Sequence, residues 1–285
     1  MGRAAFPAFD GMRNEVCMAV AGLLGSLGGA FQCQAQRTLY LDLRAGGNFT
    51  FAEGAYFGKG EPPFKAYSSQ SFGVQGVAML RLQLSEKFGI ATGYSGSDLG
   101  WGYSIQVPKE YSVNPYHPDK LGSSTGAYMH QFPLLLSKTF GEYNIREIDT
   151  VYHTYLASFR LDAVLGGGLN RIGNNLLEEK YIASSGYDFI EFRATPILRR
   201  RWGQFLIGGV TARFYRLGKE RLNLSLYYTQ GLTDMLLVPV EYRYNTQRGA
   251  TTLHVRGSGF SATLGLPLRL ATFGPDRGLL QSRKN

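Results

Sequence analysis

From residue 37 onward, apolar and polar residues alternate with a period of two, segment after segment. Such alternation is the mark of strands with one apolar face and one polar face. In the first segment Leu39, Leu41, Leu43, Ala45, Gly47, Phe49 and Phe51 share a face, and Tyr40, Asp42, Arg44 and Asn48 share the other. In the second, Phe72, Val74, Ala78, Leu80, Leu82 and Leu84 oppose Ser71, Gln75, Arg81 and Gln83, and the short turn Ser85-Glu86-Lys87 leads to a third. Further segments follow at about 126–138, 155–170, 187–199, 204–216, 221–231, 236–245 and 260–270. The pattern predicts an all-β, up-and-down antiparallel barrel of ten strands over residues 37–273, or of eight if the sixth and ninth segments are loop excursions.

Alternation does not say which face is inside, since a soluble lipocalin-like barrel alternates too. Three features favour a transmembrane barrel with its apolar face outward. Connections are long at 52–70, 98–125, 171–186 and 246–257 but short at 85–87, 200–203 and 232–235, the rhythm of outer loops and periplasmic turns. Two connections depart from it: 139–153 is long for a turn, and 217–220 is short on the long-loop side. Aromatic residues of the apolar face (Phe49, Phe51, Phe72, Tyr94, Tyr128, Phe214, Tyr242, Tyr244 and Phe260) fall near the expected outer rim, where a headgroup girdle belongs. Strand interiors also hold few Lys or Glu, the residues a soluble barrel turns to water.

The N-terminal 36 residues read as an extension followed by a cleaved signal peptide. Arg13 gives its positive start, Val16 to Phe31 its apolar stretch, and Gln32 to Gln36 its cleavage region. Both cysteines, Cys17 and Cys33, lie inside it, so the exported chain is expected to have no disulfide and no thiol chemistry. A lipoprotein acylated at Cys33 is the alternative, but Ala30-Phe31-Gln32 lacks the usual small residue before the cysteine. Residues 274–285 form a basic tail with Arg277, Arg283 and Lys284. The formal net charge is +9, yet the basic residues are scattered apart from that tail and Arg199-Arg200-Arg201. Nucleic acid is therefore not an expected partner. The expected surroundings are outer-membrane lipid, with membrane or periplasmic assembly partners, in the bacterial outer membrane.

Three stretches resemble the Bacteroidetes outer-membrane β-barrel proteins of the PorT-like kind. Met129 to Lys138, with Phe132-Pro133-Leu134-Leu135-Leu136, is similar to that family's "IPLLLKY" strand, which also carries a proline. Leu222 to Met235, with Tyr227-Tyr228-Thr229-Gln230-Gly231-Leu232-Thr233-Asp234, resembles its "Y-x-x-GL-T-D" strand and turn. Gly257 to Phe260, followed by Leu264-Gly265-Leu266, resembles its closing strand. The resemblance spans most of 37–273 and implies an outer-membrane barrel, without a particular role.

Candidate chemistry is concentrated on the polar face. Asp42, Arg44, Arg81, Arg160, Asp162, Glu191, Arg193, Arg213, Glu241, Arg243 and Arg269 are expected to face the lumen, seven arginines against four acids. A barrel of eight to ten strands is filled by its own side chains, so these charges are expected to pair into a plug. The alternative is a narrow, porin-like, anion-favouring pore. A hydrolase at the rim would need a nucleophile and a base. His117 beside Asp119, with Ser123 or Ser124, is the nearest candidate, but no GxSxG, HExxH or Cys/His cluster occurs and a solvated loop histidine is the simpler reading. Gly58-Lys59 falls short of a phosphate-binding loop, and Gly166-Gly167-Gly168 lies within a strand. No metal, cofactor or enzymatic activity is expected. The expected role is structural, adhesive, or in transport or secretion assembly, with outer loops 98–125 and 171–186, bearing Tyr103, Tyr111, Tyr116 and Tyr181, as the contact surface.

Overall fold

The computed structural model describes residues 37–54, 65–106, 120–146, 156–173, 179–185, 188–244 and 246–273. Among these the regular structure is all strand: β1 (Arg37–Gly54), β2 (Lys65–Gln83), β3 (Phe88–Gln106), β4 (Lys120–Arg146), β5 (Leu156–Ile172), β6 (Glu179–Ser185), β7 (Asp188–Ala194), β8 (Ile197–Leu198), β9 (Trp202–Arg216), β10 (Lys219–Gly231), β11 (Leu236–Tyr244) and β12 (Gln247–Phe273). The segments read as signal peptide and basic tail lie outside the described residues.

Eight strands form a closed antiparallel ring in the order β1-β2-β3-β4-β5-β9-β10-β12, shut by the pairing of β1 with β12 from Arg37↔Phe273 to Gly54↔Leu253. The sixth and ninth alternating segments do form strands, but they pair beside the ring. β11 pairs with the first third of β12, β7 with β11, and β6 with β7, while β8 caps the end of β11. Alternation looks the same in either setting, so the pattern alone could not place them.

The ring has two unlike ends. At the proximal end, which carries Arg37 and Phe273, strands are joined across 84–87, 147–155 and Leu217-Gly218. The distal end carries the connections 55–64 and 107–119, and the inserted strands β6 to β8 and β11. One departure from the loop rhythm disappears on this ring and the other shrinks. The turn near 217 belongs with the other proximal turns, and β4 runs on to Arg146, which shortens the link to β5.

The faces are inside out relative to a soluble barrel. Leu43, Phe72, Leu80, Leu134, Leu136, Leu165, Leu206, Leu226, Leu264 and Leu266 are exposed around the outside. Asp42, Arg44, Arg81, Asp162, Thr211, Arg213, Asn223 and Ser225 are buried within. On β1 the outward run from Leu39 to Phe49 rises roughly 25 Å, taking about 3.3 Å per residue and a tilt near 40°, which matches the apolar thickness of an outer membrane. The closed ring gives each of its strands a partner on both sides, as a hydrocarbon surround requires. This is a transmembrane-type β-barrel.

Local chemistry explains two irregularities. A Cβ on Gly166 or Gly168 would overlap the carbonyl oxygens of Leu134 and Phe132, so the glycine run lets β5 lie close against β4. Pro133 has no N–H to give the β3–β4 ladder, whose register skips from Thr92↔Leu134 to Ser95↔Gln131; the Thr92 hydroxyl donates instead to the Pro133 carbonyl at 2.9 Å.

Candidate functional site

The candidate site is the lumen. Its proximal half is an ion network built from opposite walls. Asp42 on β1, with no exposed surface, accepts from Arg44 at 3.0 Å and from Arg81 of β2 at 2.9 Å. The other end of the Arg81 guanidinium donates to Glu220 of β10 at 2.7 Å, and its plane lies 4.2 Å over the Tyr40 ring. Arg44 also donates to Ser225 and Tyr227 at 2.9 Å each. Around the ring, Arg213 of β9 pairs with Asp162 of β5 at 2.6 Å, and Thr139 of β4 donates to the same carboxylate. Arg213 further donates to Gln83 of β2 at 2.9 Å. In the ring order β2 and β9 stand diametrically opposite, so this bond crosses the lumen.

The network balances. Arg44, Arg81 and Arg213 face Asp42, Asp162 and Glu220, three positive charges against three negative. Each ion is bonded to a side chain of opposite charge, the condition under which buried charges are tolerated. The alternation missed Glu220, and a β-bulge between Glu220 and Leu222 is the reason. Leu222, Leu224 and Leu226 face outward, and parity would send Glu220 with them. The extra residue, Arg221, resets the strand, so Glu220 turns inward and Arg221 stays exposed.

The other expected lumen charges lie elsewhere. Arg160 is half-exposed at the proximal mouth, paired with Glu142 at 3.1 Å and set over the Tyr215 ring. Arg269 is exposed at the same mouth, opposite Tyr40. Glu191, Arg193, Glu241 and Arg243 are not in the lumen at all. They sit on β7 and β11 with Glu241 opposite Arg193 and Arg243 opposite Glu191, and with Arg248 they line a concavity of about 580 Å³ on the distal sheet. The distal four balance one another, so the expected excess came from Arg160 and Arg269, which lie at the mouth, and from the missed Glu220. The lumen itself has none.

Above the ions come an apolar layer (Met79, Ala91, Leu135, Val164 and Tyr227) and then a polar layer that includes Asn48, Gln75, Ser95 and Gln131. Two lumen cavities beside these layers measure about 20 Å³ each, room for roughly one water apiece. The distal mouth is filled by an apolar cluster. Leu99, Trp101, Ala127, Met129 and Ile172 of the ring pack against Leu236, Val238 and Val240 of β11, with Leu253 and Val255 of β12. The inserted strands therefore fold over the mouth as a stopper. Outside the apolar cluster, Asp234 accepts from Arg256 and lies 3.1 Å from His254, while Arg256 also reaches Glu53 at the end of β1. Hydrogen bonds from Arg256 foremost, and then from His254, hold the Asp234 carboxyl below its ordinary pKa.

Two aromatic belts bound the apolar wall. The distal belt contains Phe49 against Phe72 (5.2 Å between centroids), Tyr228 against Phe260 (4.9 Å), and Tyr94, Phe132 and Trp202, with Tyr128 nearby. Phe214 belongs to the opposite belt: it lies 6.1 Å from Phe159, which stacks on Tyr143 at 4.8 Å beside the proximal turns. Counting ten ring strands instead of eight reversed its end. Phe51 is half-buried near the distal rim. Tyr242 and Tyr244 are on β11, off the ring wall, and their side chains lie outside the described residues, as do those of Tyr103 and Tyr181. His117, Asp119, Tyr111, Tyr116 and the Gly58-Lys59 pair also lie outside them, as do the side chains of Ser123 and Ser124. No group of metal-ligating side chains occurs among the described residues.

Neither a family model nor a curated protein sequence matches the chain. Among solved structures the chain is similar to the outer membrane protein OprG from Pseudomonas aeruginosa, at 11% identity and a TM-score of 0.36 over 84% of this chain and 100% of that one. It is also similar to the translocator domain of autotransporter NalP from Neisseria meningitidis, at 10% identity and a TM-score of 0.17 over 90% and 98%. At such low identities and scores, the barrel assignment rests on the ring closure and its inside-out faces.

Proposed function

We propose that the chain is an integral protein of the bacterial outer membrane, a closed barrel that acts as a scaffold and not as a conduit. The observation that supports this best is the hydrogen bond from Arg213 to Gln83 across the lumen, embedded in a charge-balanced network and covered by the apolar stopper. An anion-favouring pore needs unpaired positive charge along a wet path. Here the lumen arginines are each bonded to an acid. The role is carried by contact at the distal end, in structure, adhesion, or an assembly for transport or secretion, and it is not enzymatic. The charged outer side of the distal sheet, around Glu191, Arg193, Glu241, Arg243 and Arg248, extends the loop surface expected from the sequence. Membership among the PorT-like barrels belongs to the same proposal and rests on the strands at Met129–Lys138 and Leu222–Met235.

Planar-bilayer recording on the folded protein tests the scaffold reading, with a steady baseline as the expected result. Discrete steps that favour anions would overturn it. Gel mobility tests the barrel: an unheated sample should migrate differently from a heated one, and a single unshifted band from soluble protein would refute membrane insertion.

A further inference from the structure

The β9–β10 hairpin ends in Leu217 and Gly218, both at positive φ (52° and 68°), the pattern of a type I′ turn. Glycine suits such a backbone, but a leucine there crowds its Cβ against the following carbonyl. The strained residue is also 59% exposed, beyond the proximal aromatic belt. The register sets Arg216 opposite Lys219, and the bulge leaves Arg221 exposed beside them. Glu220, on the same hairpin, is turned into the lumen onto Arg81. Phe214, Tyr215, Arg216, Leu217 and Arg221 line an open concavity of about 630 Å³. Two guanidinium-bearing residues and an apolar floor thus meet where the lipid-facing wall ends.

We propose that this concavity binds the headgroup of an anionic phospholipid. The phosphate lies against Arg216 and Arg221 with Lys219 alongside, and the first acyl carbons rest on Phe214 and Leu217. Guanidinium forks match phosphate oxygens in geometry and charge. The exposed leucine gives the strained turn a lipid contact that a glycine could not supply. This inference rests on the membrane reading above.

The test uses the full chain folded in zwitterionic micelles, titrated in native mass spectrometry with short-chain phosphatidylglycerol, with phosphatidylcholine of the same chain length, and with inorganic phosphate. One phosphatidylglycerol should be retained about tenfold or more tightly than phosphatidylcholine. Arg216→Gln combined with Arg221→Gln should abolish that preference. Leu217→Gly should keep the heat-dependent gel shift yet weaken phosphatidylglycerol several-fold. Equal retention of the two lipids, an unchanged preference in the double variant, or inorganic phosphate binding as tightly as the lipid would overturn the site. Because the gel shift reports the barrel independently, absence of lipid preference in the unmodified protein with the shift intact refutes the site alone.

Discussion

Arg81 holds the plug together, since it bonds both Asp42 and Glu220 and is itself 2% exposed. Arg81→Met would leave Glu220 without an opposite charge in the lumen and Asp42 with Arg44 alone, a change expected to cost about 3–5 kcal/mol. Urea unfolding of the folded protein in micelles measures it. Arg160→Met is the contrast, because the Arg160–Glu142 pair is partly open to solvent and is expected to be worth about 1 kcal/mol or less. Leu217→Gly should shift the same unfolding curve the other way, by about 1 kcal/mol, as the left-handed backbone loses its steric penalty. A stabilised turn with weakened lipid binding would separate the two effects of that leucine. At this scale the sequence was readable wherever parity held: Asp42, Arg44, Arg81, Asp162 and Arg213 all face the lumen as expected. It failed at Glu220 because a one-residue bulge changes parity while leaving no mark in hydrophobicity.

Among the elements, the distal sheet is the one held by a titratable latch. The Asp234 carboxylate draws together Arg256 and His254, and Arg256 draws in Glu53. The folded pKa of Asp234 is depressed, so its contribution is fully present above the ordinary carboxylate pKa and is lost as pH falls through the lower folded value. Amide exchange in β11, corrected for its intrinsic pH dependence, should therefore show constant protection from pH 7 to about 5 and lose it only below about 4. In Asp234→Asn the protection should be weaker already at pH 7, and an unchanged profile would show that the apolar cluster alone holds the sheet. β7 and β11 of this sheet were legible as elements, whereas β6 and the start of β12 fell within 171–186 and 246–257, which read as connections. Their partners were not, since membership of the ring or of the stopper depends on which neighbour supplies the ladder. Phe214 was placed at the wrong rim for the same reason: each strand added to the ring reverses the end at which the next one finishes.

At the scale of the whole molecule, the inward faces form a stack of ionic, apolar, polar and again apolar layers, and the outward face is one apolar wall between two aromatic belts. The stack also orders assembly. Asp42 and Arg44 stand near the start of the barrel, whereas Ser225, Tyr227 and Glu220 stand near its end, with Arg44 and Tyr227 separated by 183 positions. Until β12 arrives to join β1, Asp42 already pairs with Arg44 and Arg81, but the bonds from those arginines to Ser225, Tyr227 and Glu220 are unmade and the network is open on one side. Contacts of such separation are slow to form. Completion of the final strand is thus a checkpoint: a chain truncated within β12 presents open edges and unmatched ions to the bilayer, and should be rejected as a whole instead of persisting as a shorter barrel.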